Sequence, residues 1–153
     1  MTDQPDGDEM SLDHLIDRLP HRAPFLFVTE IQSSAPGHVV GSWTLTGEEW
    51  FLPGHFPGRP LVPGVLLTEA LAQIGGLAAD PGEENTGGML VSSDMRFRSP
   101  IAPPTTVKLE AKLTRSMGPI HLLEVSASVD GTCCADGTIG LMVGNPPEEE
   151  VDS

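Results

Sequence analysis

Basic residues are scarce in this chain. Its 153 residues include 8 Lys and Arg against 22 Asp and Glu, which gives a formal net charge of −14 at pH 7. Nucleic acids and anionic membrane surfaces bind positively charged proteins, so this balance argues against either as a partner. An acidic surface is also what adaptation to a high-salt cytoplasm would produce. More than half of the excess lies at the two ends, in Asp3, Asp6, Asp8, Glu9, Glu148, Glu149, Glu150 and Asp152.

Cysteine is almost absent. The two cysteines, Cys133 and Cys134, are adjacent. Neighbouring strand residues point to opposite faces, so we expect no internal disulfide between them. Unbridged thiols fit a reducing compartment, and the acidic, polar start MTDQPDGDE does not resemble a signal peptide. We therefore expect a cytoplasmic protein.

Long hydrophobic runs are also missing. The least polar segment, residues 64–79, has sixteen residues and contains Glu69, whereas a membrane-spanning helix needs about twenty apolar residues. Pro63 suits the first turn of a helix, and Asp80-Pro81-Gly82 would end one. Because the segment is apolar nearly all round, we predict a core helix enclosed by other elements.

The remaining pattern predicts a single α+β domain over residues 11–145, with acidic disordered tails at 1–10 and 146–153. A short helix capped by Ser11 is predicted at 12–19. Strands are predicted at 25–32, 39–45, 89–97, 107–114, 120–129 and 133–143, with a loop at 80–88 and a hairpin turn at Asp130-Gly131.

Glu69 is the only ionisable residue of the predicted helix. Charged residues are seldom buried unless they are paired or functional, and desolvation favours the neutral form of a carboxyl group. A protonated Glu69 could act as a general acid, and Gln73, one turn later on the same face, could orient its carboxyl or a water. The alternative is that Glu69 points into solvent from an imperfectly apolar helix.

His55 lies in the Gly- and Pro-rich loop before this helix, where such residues restrict the chain to turns. Its imidazole suits proton abstraction near neutral pH, although a lone histidine is more often structural. The helix entrance at Pro63-Gly64 adds free backbone N–H groups and the positive end of a helix dipole, which suit a developing oxyanion.

These three parts match the removal of water from a β-hydroxyacyl thioester. The reaction needs a base for the α-proton, an N–H for the enolate charge on the thioester carbonyl, and an acid for the leaving hydroxyl. His55, the Gly64 amide and Glu69 would fill these roles in that order. The three parts therefore suggest dehydration without excluding other reactions.

The segment GHFPGRPLVPGVLLTEALAQIGGLAA, residues 54–79, closely resembles the signature of β-hydroxyacyl-acyl-carrier-protein dehydratases of the FabZ type. LPHRAPFLFVTEI, residues 19–31, resembles the opening motif of that family, and DMRFRSPI, residues 94–101, resembles the strand after its central helix. The similarity covers residues 19–143.

The resemblance implies a hotdog fold, in which a curved antiparallel sheet wraps a long helix. It also implies a homodimer and allows a trimer of dimers. It implies that His55 of one chain faces Glu69 of its partner, and that Phe56, Gly64, Val65 and Gln73 form the substrate site. Acyl carrier protein is the implied partner, and Arg59, Arg96 and Arg98 are candidates for a local basic docking site. No cofactor is implied.

The other histidines receive a structural interpretation: His21 within the opening motif, and His14, His38 and His121 as isolated residues. A metal site on His55 and Glu69 would lack a third protein ligand, so none is predicted. The chain also has no Tyr, whereas some members of the family have an aromatic gate at the acyl tunnel.

Two other functions stay open. A hotdog thioesterase would use Glu69 to activate water, which leaves the His55 loop without a role. A non-catalytic acyl-thioester-binding module would not require both His55 and Glu69.

Overall fold

The structure, a computed structural model, describes residues 12, 14–79 and 88–143. The predicted tails, and most of the predicted loop at 80–88, lie outside this part. The elements, with our labels, are a 3₁₀ helix His14–Arg18, β1 Glu30–Ala35, β2 His38–Leu45, a 3₁₀ helix Leu52–Gly54, α1 Gly64–Ala79, β3 Gly88–Phe97, β4 Thr105–Met117, β5 Ile120–Val129 and β6 Thr132–Val143.

The six strands form one antiparallel sheet in the order β1-β2-β4-β5-β6-β3. Helix α1 packs across one face, mainly against β4, where Val107, Leu109 and Ala111 alternate inward and are fully buried. Successive strand residues face opposite sides of a sheet, so this alternation separates a core face from an outer face. One long helix on a curved antiparallel sheet confirms the α+β class and the hotdog fold.

Several predicted elements appear with the predicted limits. Helix α1 covers residues 64–79 and β5 covers 120–129. The hairpin between β5 and β6 turns at Asp130 and Gly131, whose φ angles are 51° and 82°. Positive φ at both central positions is what the favoured two-residue hairpin turns require. The other strands run one to three residues beyond the predicted ends, and Gly88 belongs to β3 rather than to the preceding loop.

The predicted first strand, residues 25–32, is wrong at its start, because the ladder of β1 begins only at Glu30. The backbone of the preceding segment is bonded to a side chain instead. Gln73 accepts a hydrogen bond from the Phe27 amide at 2.9 Å and donates one to the Phe25 carbonyl at 2.9 Å. Buried backbone groups need partners, and here a helix side chain supplies them in place of a neighbouring strand.

The predicted helix at 12–19 is a shorter 3₁₀ helix, His14–Arg18, and its predicted cap, Ser11, lies outside the described residues.

The prediction that other elements enclose α1 is correct for only part of the helix. From Ala70 onward nearly every side chain is buried, whereas Val65 in the first turn is 77% exposed. The helix therefore enters the core with its C-terminal half and presents its first turns at the surface. Within the described residues, no helix combines the length and the apolar character needed to cross a membrane.

Candidate active site

The loop that carries His55 is tied to itself by backbone hydrogen bonds. The His55 amide donates to the Leu52 carbonyl at 2.8 Å, and the Leu61 amide donates to the His55 carbonyl at 2.8 Å. Between them, Phe56 and Arg59 exchange two backbone hydrogen bonds across a turn in which Gly58 has φ +73°. Glycine adopts this φ at little steric cost, so the sequence suits the tight turn. These bonds hold His55 in place without burying it.

The geometry fixes the tautomer of His55. Its Nδ1 lies 3.0 Å from the Leu61 carbonyl oxygen. A carbonyl oxygen can only accept a hydrogen bond, so Nδ1 carries the proton and donates it. In the neutral ring, Nε2 is then left with its lone pair free. A histidine held in this way is prepared to act as a base.

Phe56 stacks on the His55 ring, with 4.2 Å between the ring centroids and an interplanar angle of 23°. The peptide bond between the two residues is cis. Phe56 is 48% exposed, so it forms an apolar surface immediately beside the imidazole.

Gly64 begins α1 beside the ring of Phe97. The first N–H groups of a helix have no intrahelical acceptor, which leaves the amides of Gly64 and Val65 available to an external oxygen. A Cβ placed on Gly64 would lie 3.1 Å from Phe97 Cε1. Glycine therefore allows the aromatic ring to pack directly against the helix entrance.

Glu69 lies at the point where α1 passes from exposed to buried, and its side chain is 23% exposed. Its Oε2 accepts a hydrogen bond from Gln73 Nε2 at 3.1 Å. Gln73 is 1% exposed and has the two backbone partners in the 25–27 segment described above. The interpretation of Glu69 as a freely solvated residue is therefore wrong, and Gln73 lies behind the acid, in contact with it, as one turn of helix predicts.

The sequence interpretation did not predict that His21 contacts Glu69. Its Nε2 lies 3.3 Å from Glu69 Oε2, and the two side chains are 22% and 23% exposed. The contact joins residues 48 positions apart, so no local spacing could have revealed it. The only signal was the presence of a histidine in the opening motif that resembles the family's.

His55 and Glu69 are not bonded to each other within the described part of the chain. Among the described residues, neither a hydrogen bond nor an ion pair connects them: His55 is bonded to Leu61, and Glu69 contacts Gln73 and His21. Both face accessible surface, and the first turn of α1 lies between them in sequence. Each of the two groups is thus held by its own set of neighbours.

An apolar surface adjoins this region. A groove of about 540 Å³ is lined by Gly64, Val65, Thr68, Leu90, Ser93, Met95 and Phe97. Strand β3, which forms one wall, is an edge of the sheet. Three consecutive apolar side chains on it, Met89, Leu90 and Val91, are 57%, 40% and 45% exposed. Apolar surface beside an unpaired strand edge is typical of a site where another chain or a ligand binds.

The three arginines considered for docking differ in their surroundings. Arg98 donates to Asp136 from both Nε and Nη2, at 3.0–3.2 Å. The hydrogen bond from Arg98 lowers the pKa of Asp136. Arg96 is opposite Asp136 in the β3–β6 register. Arg59 is exposed in the His55 loop and has no side-chain partner among the described residues.

The other described histidines lie away from these groups. His38 pairs with Glu110 at 2.6 Å, His121 contacts Ser116 at 2.8 Å, and His14 is exposed. In the part of the chain that the structure describes, no three His, Cys, Asp or Glu side chains are grouped as metal ligands would be.

The turn before the His55 loop depends on one carboxylate. Glu49 accepts hydrogen bonds from the amides of Thr46 at 2.8 Å and Gly47 at 3.0 Å, and its own carbonyl accepts from Leu52. Burial raises the pKa of Glu49, but these amide hydrogen bonds outweigh it, so the pKa lies below the ordinary value of 4.5. The charged form is therefore favoured by folding.

Glu49→Gln should lower the free energy of unfolding by about 1 kcal/mol at pH 7, because a partly exposed, charge-assisted pair of hydrogen bonds is lost. The stabilisation is fully present above the ordinary pKa of 4.5 and is lost as pH falls through the lower folded-state pKa. Urea unfolding at several pH values would measure it. The exposed neighbour Glu48 provides the control: Glu48→Gln should change little, and equal effects of the two variants would contradict the assignment.

Known proteins resemble this chain along most of its length. Residues 19–138 match the family model described as a FabA-like domain. The chain is 40% identical over 137 residues to a "3-hydroxyacyl-[acyl-carrier-protein] dehydratase FabZ" of Herpetosiphon aurantiacus, covering 87% of this chain and 96% of that protein. It is 34% identical over 138 residues to the protein of the same name from Lactococcus lactis subsp. cremoris, covering 88% and 96%.

A solved structure described as the dehydratase heterocomplex ApeI:P from Xenorhabdus doucetiae superposes with a TM-score of 0.72 at 21% identity, covering 85% of this chain and 91% of the other. At that identity, the likeness establishes the shared fold.

Proposed function

Because the chain belongs to the FabA-like family, we propose that it is a hydro-lyase that converts (3R)-hydroxyacyl-[acyl-carrier-protein] to the trans-2-enoyl thioester and water in fatty-acid biosynthesis. The proposed substrate follows the names of relatives that the chain matches over nearly their whole length. One geometric observation supports the proposal most directly: the hydrogen bond from His55 Nδ1 to Leu61, which leaves Nε2 free as a base.

In the proposed first role, His55 Nε2 takes the proton from the α-carbon of the substrate. The electron pair of that C–H bond moves toward the thioester carbonyl and forms an enolate-like charge. Protonation leaves His55 with donors at both nitrogens, and the Nδ1–H bond to Leu61 is retained. The bond therefore holds the ring in one orientation before and after the transfer.

The amide at the start of α1 would bind the thioester carbonyl oxygen. The Gly64 N–H precedes the first intrahelical hydrogen bonds, and the helix dipole makes this end partly positive. A fixed N–H donor directed at an oxygen that gains negative charge stabilises the transition state more than the ground state, and so lowers the barrier. Phe56, 48% exposed, and Val65, 77% exposed, would provide apolar contact for the acyl chain.

Glu69 would protonate the leaving hydroxyl. As the Cβ–O bond breaks, the enolate electron pair becomes the Cα=Cβ bond, and the oxygen leaves as water with the proton from Glu69. One proton has then moved to His55 and one has left Glu69, so return of a proton from His55 to Glu69 restores the enzyme. The hydrogen bond from Gln73 at 3.1 Å holds the carboxyl group during this step.

We propose that two copies of the chain complete each site, with His55 of one facing Glu69 of the other. Two observations support this arrangement: neither a hydrogen bond nor an ion pair joins the two groups among the described residues of one chain, and an exposed apolar strand edge lies beside the start of α1. Pairing of β3 with β3 of a second copy would extend the sheet and cover Met89, Leu90 and Val91. Three such dimers would give the trimer of dimers that the resemblance allows.

An acyl carrier protein would present the substrate, and Arg59 is the best placed of the three candidate arginines. It is exposed in the loop that carries His55, whereas Arg98 is engaged by Asp136. A cytoplasmic location is part of the proposal, and the two unbridged cysteines fit it.

The test is incubation of purified protein with a β-hydroxyacyl thioester on a carrier protein, following enoyl absorbance and free thiol together. Enoyl product without thiol release is expected, and His55→Ala should abolish it. Thiol release without enoyl product would show a thioesterase instead. Binding with neither signal would show a non-catalytic acyl-thioester-binding module.

A further inference from the structure

Glu69 has a neighbour that the proposed mechanism does not use. His21, from the segment before β1, places Nε2 3.3 Å from Glu69 Oε2, and its ring stacks on Phe25 with 6.5 Å between centroids. Phe25 is itself fixed by the hydrogen bond from Gln73 to its carbonyl. One buried amide therefore holds both the acid and the segment that brings the imidazole to it.

The other nitrogen of His21 shows which atom carries the proton. Nδ1 is buried and has no hydrogen-bond partner among the described residues. A buried N–H without an acceptor is rare in folded proteins, and an unpaired lone pair costs less. The neutral ring with its proton on Nε2 avoids a buried, unpaired N–H. In that form, the protonated nitrogen of His21 is the one that lies 3.3 Å from Glu69 Oε2, at ion-pair distance but outside hydrogen-bond geometry.

Gln73 and His21 approach the same carboxyl oxygen, and Gln73 donates a hydrogen bond to it. Gln73 Nε2 is 3.1 Å and His21 Nε2 is 3.3 Å from Oε2, while Oε1 has no partner among the described residues. An oxygen that faces two N–H groups is the poorer place for the acidic proton. Oε1 is therefore the atom left to carry that proton and to meet a substrate.

We propose that His21 is a positioning residue for this acid: with Gln73 it occupies Oε2, which directs the transferable proton to Oε1. This inference rests on the proposed dehydratase function. At 3.3 Å the two atoms are at ion-pair distance without hydrogen-bond alignment, and catalytic contacts of this kind tighten into hydrogen bonds in the reacting complex. The interaction strengthens as Glu69 becomes a carboxylate, so it favours the transition state over the ground state.

The test separates kcat from KM for β-hydroxyacyl thioester dehydration. His21→Phe keeps a ring to stack on Phe25 but removes the N–H donor. It should lower kcat by about 10- to 100-fold, the loss expected for a hydrogen bond to a charged group, with KM changed less than about twofold. His21→Gln, which keeps an N–H donor, should give a kcat between those of wild type and His21→Phe. His121→Phe is the matched control and should leave both constants unchanged.

A double-mutant cycle shows whether His21 acts through the acid. In a Glu69→Gln background, His21→Phe should cause no further fall in kcat, whereas an independent multiplicative fall would overturn the inference. A wild-type kcat in His21→Phe would also overturn it while leaving the dehydratase proposal intact. An inactive wild type would instead remove the proposed function itself.

The tautomer of His21 can also be measured directly in the wild-type protein, without any substitution. In ¹⁵N-histidine-labelled protein at pH 7.5, the nitrogen shifts of His21 should show a protonated Nε2 and an unprotonated Nδ1. A ring protonated at Nδ1, alone or together with Nε2, would contradict the argument from the buried atom.

Discussion

His55→Ala should lower kcat/KM for dehydration of a β-hydroxyacyl thioester by about 10²- to 10⁴-fold, the usual contribution of a general base. The physical reason is the fixed tautomer: the Leu61 carbonyl holds the proton on Nδ1, so Nε2 is available to the α-proton. Alanine leaves no group to replace it. Steady-state kinetics from enoyl absorbance would measure the change.

The fold should survive this substitution. His55 is half-buried, and its loop is held by the backbone bonds to Leu52 and Leu61, which alanine retains. Far-UV circular dichroism and the unfolding midpoint should therefore match those of wild type. His121→Ala removes a histidine of the inner strand β5 that contacts Ser116, and it is the matched control. Activity of His55→Ala within about threefold of this control would exclude His55 as the base.

A mixture of two inactive variants should recover activity if each site takes residues from two copies. His55→Ala and Glu69→Gln, expressed together in equal amounts, each lack one group and retain the other. Random pairing joins an intact His55 to an intact Glu69 of the other copy in about a quarter of sites, so about a quarter of wild-type activity is expected. This result follows for a dimer and for a trimer of dimers alike.

The same mixture distinguishes the opposite arrangement. If His55 and Glu69 of one chain acted together, every site would lack one of them, and mixing would restore nothing. The control is co-expression of His55→Ala with the His55→Ala/Glu69→Gln double variant, in which no intact His55 exists. Activity of the first mixture no higher than this control would contradict catalysis across two copies.

Much of the fold follows from local patterns. The apolar segment after Pro63 and the breakers at 80–82 give α1 its limits, and Asp130-Gly131 gives the β5–β6 hairpin, because each depends on residues close in sequence. The start of β1 does not, because the Phe27 amide is bonded to Gln73, 46 residues away. A side chain that replaces a strand partner leaves no periodic signal in the segment that it binds.

The contacts of the candidate site also differ in whether local sequence could predict them. The Glu69–Gln73 pair is one helical turn and could be predicted from spacing. The contact between His21 and Glu69 depends on how the opening segment crosses the helix, which is a tertiary property. The proposed relation between His55 and Glu69 is harder still to predict from sequence, because neither a hydrogen bond nor an ion pair joins them among the described residues of one chain.

The exposed edge at β3 has a consequence for handling the protein. An edge strand with one open side and apolar residues such as Met89, Leu90 and Val91 is a template for irregular intermolecular pairing. If a second copy normally covers it, dilution would expose that template at the same time as it separates His55 from Glu69. Loss of turnover and the onset of aggregation would then share one concentration threshold, and a dilute, precipitating sample would report lost pairing rather than absent chemistry.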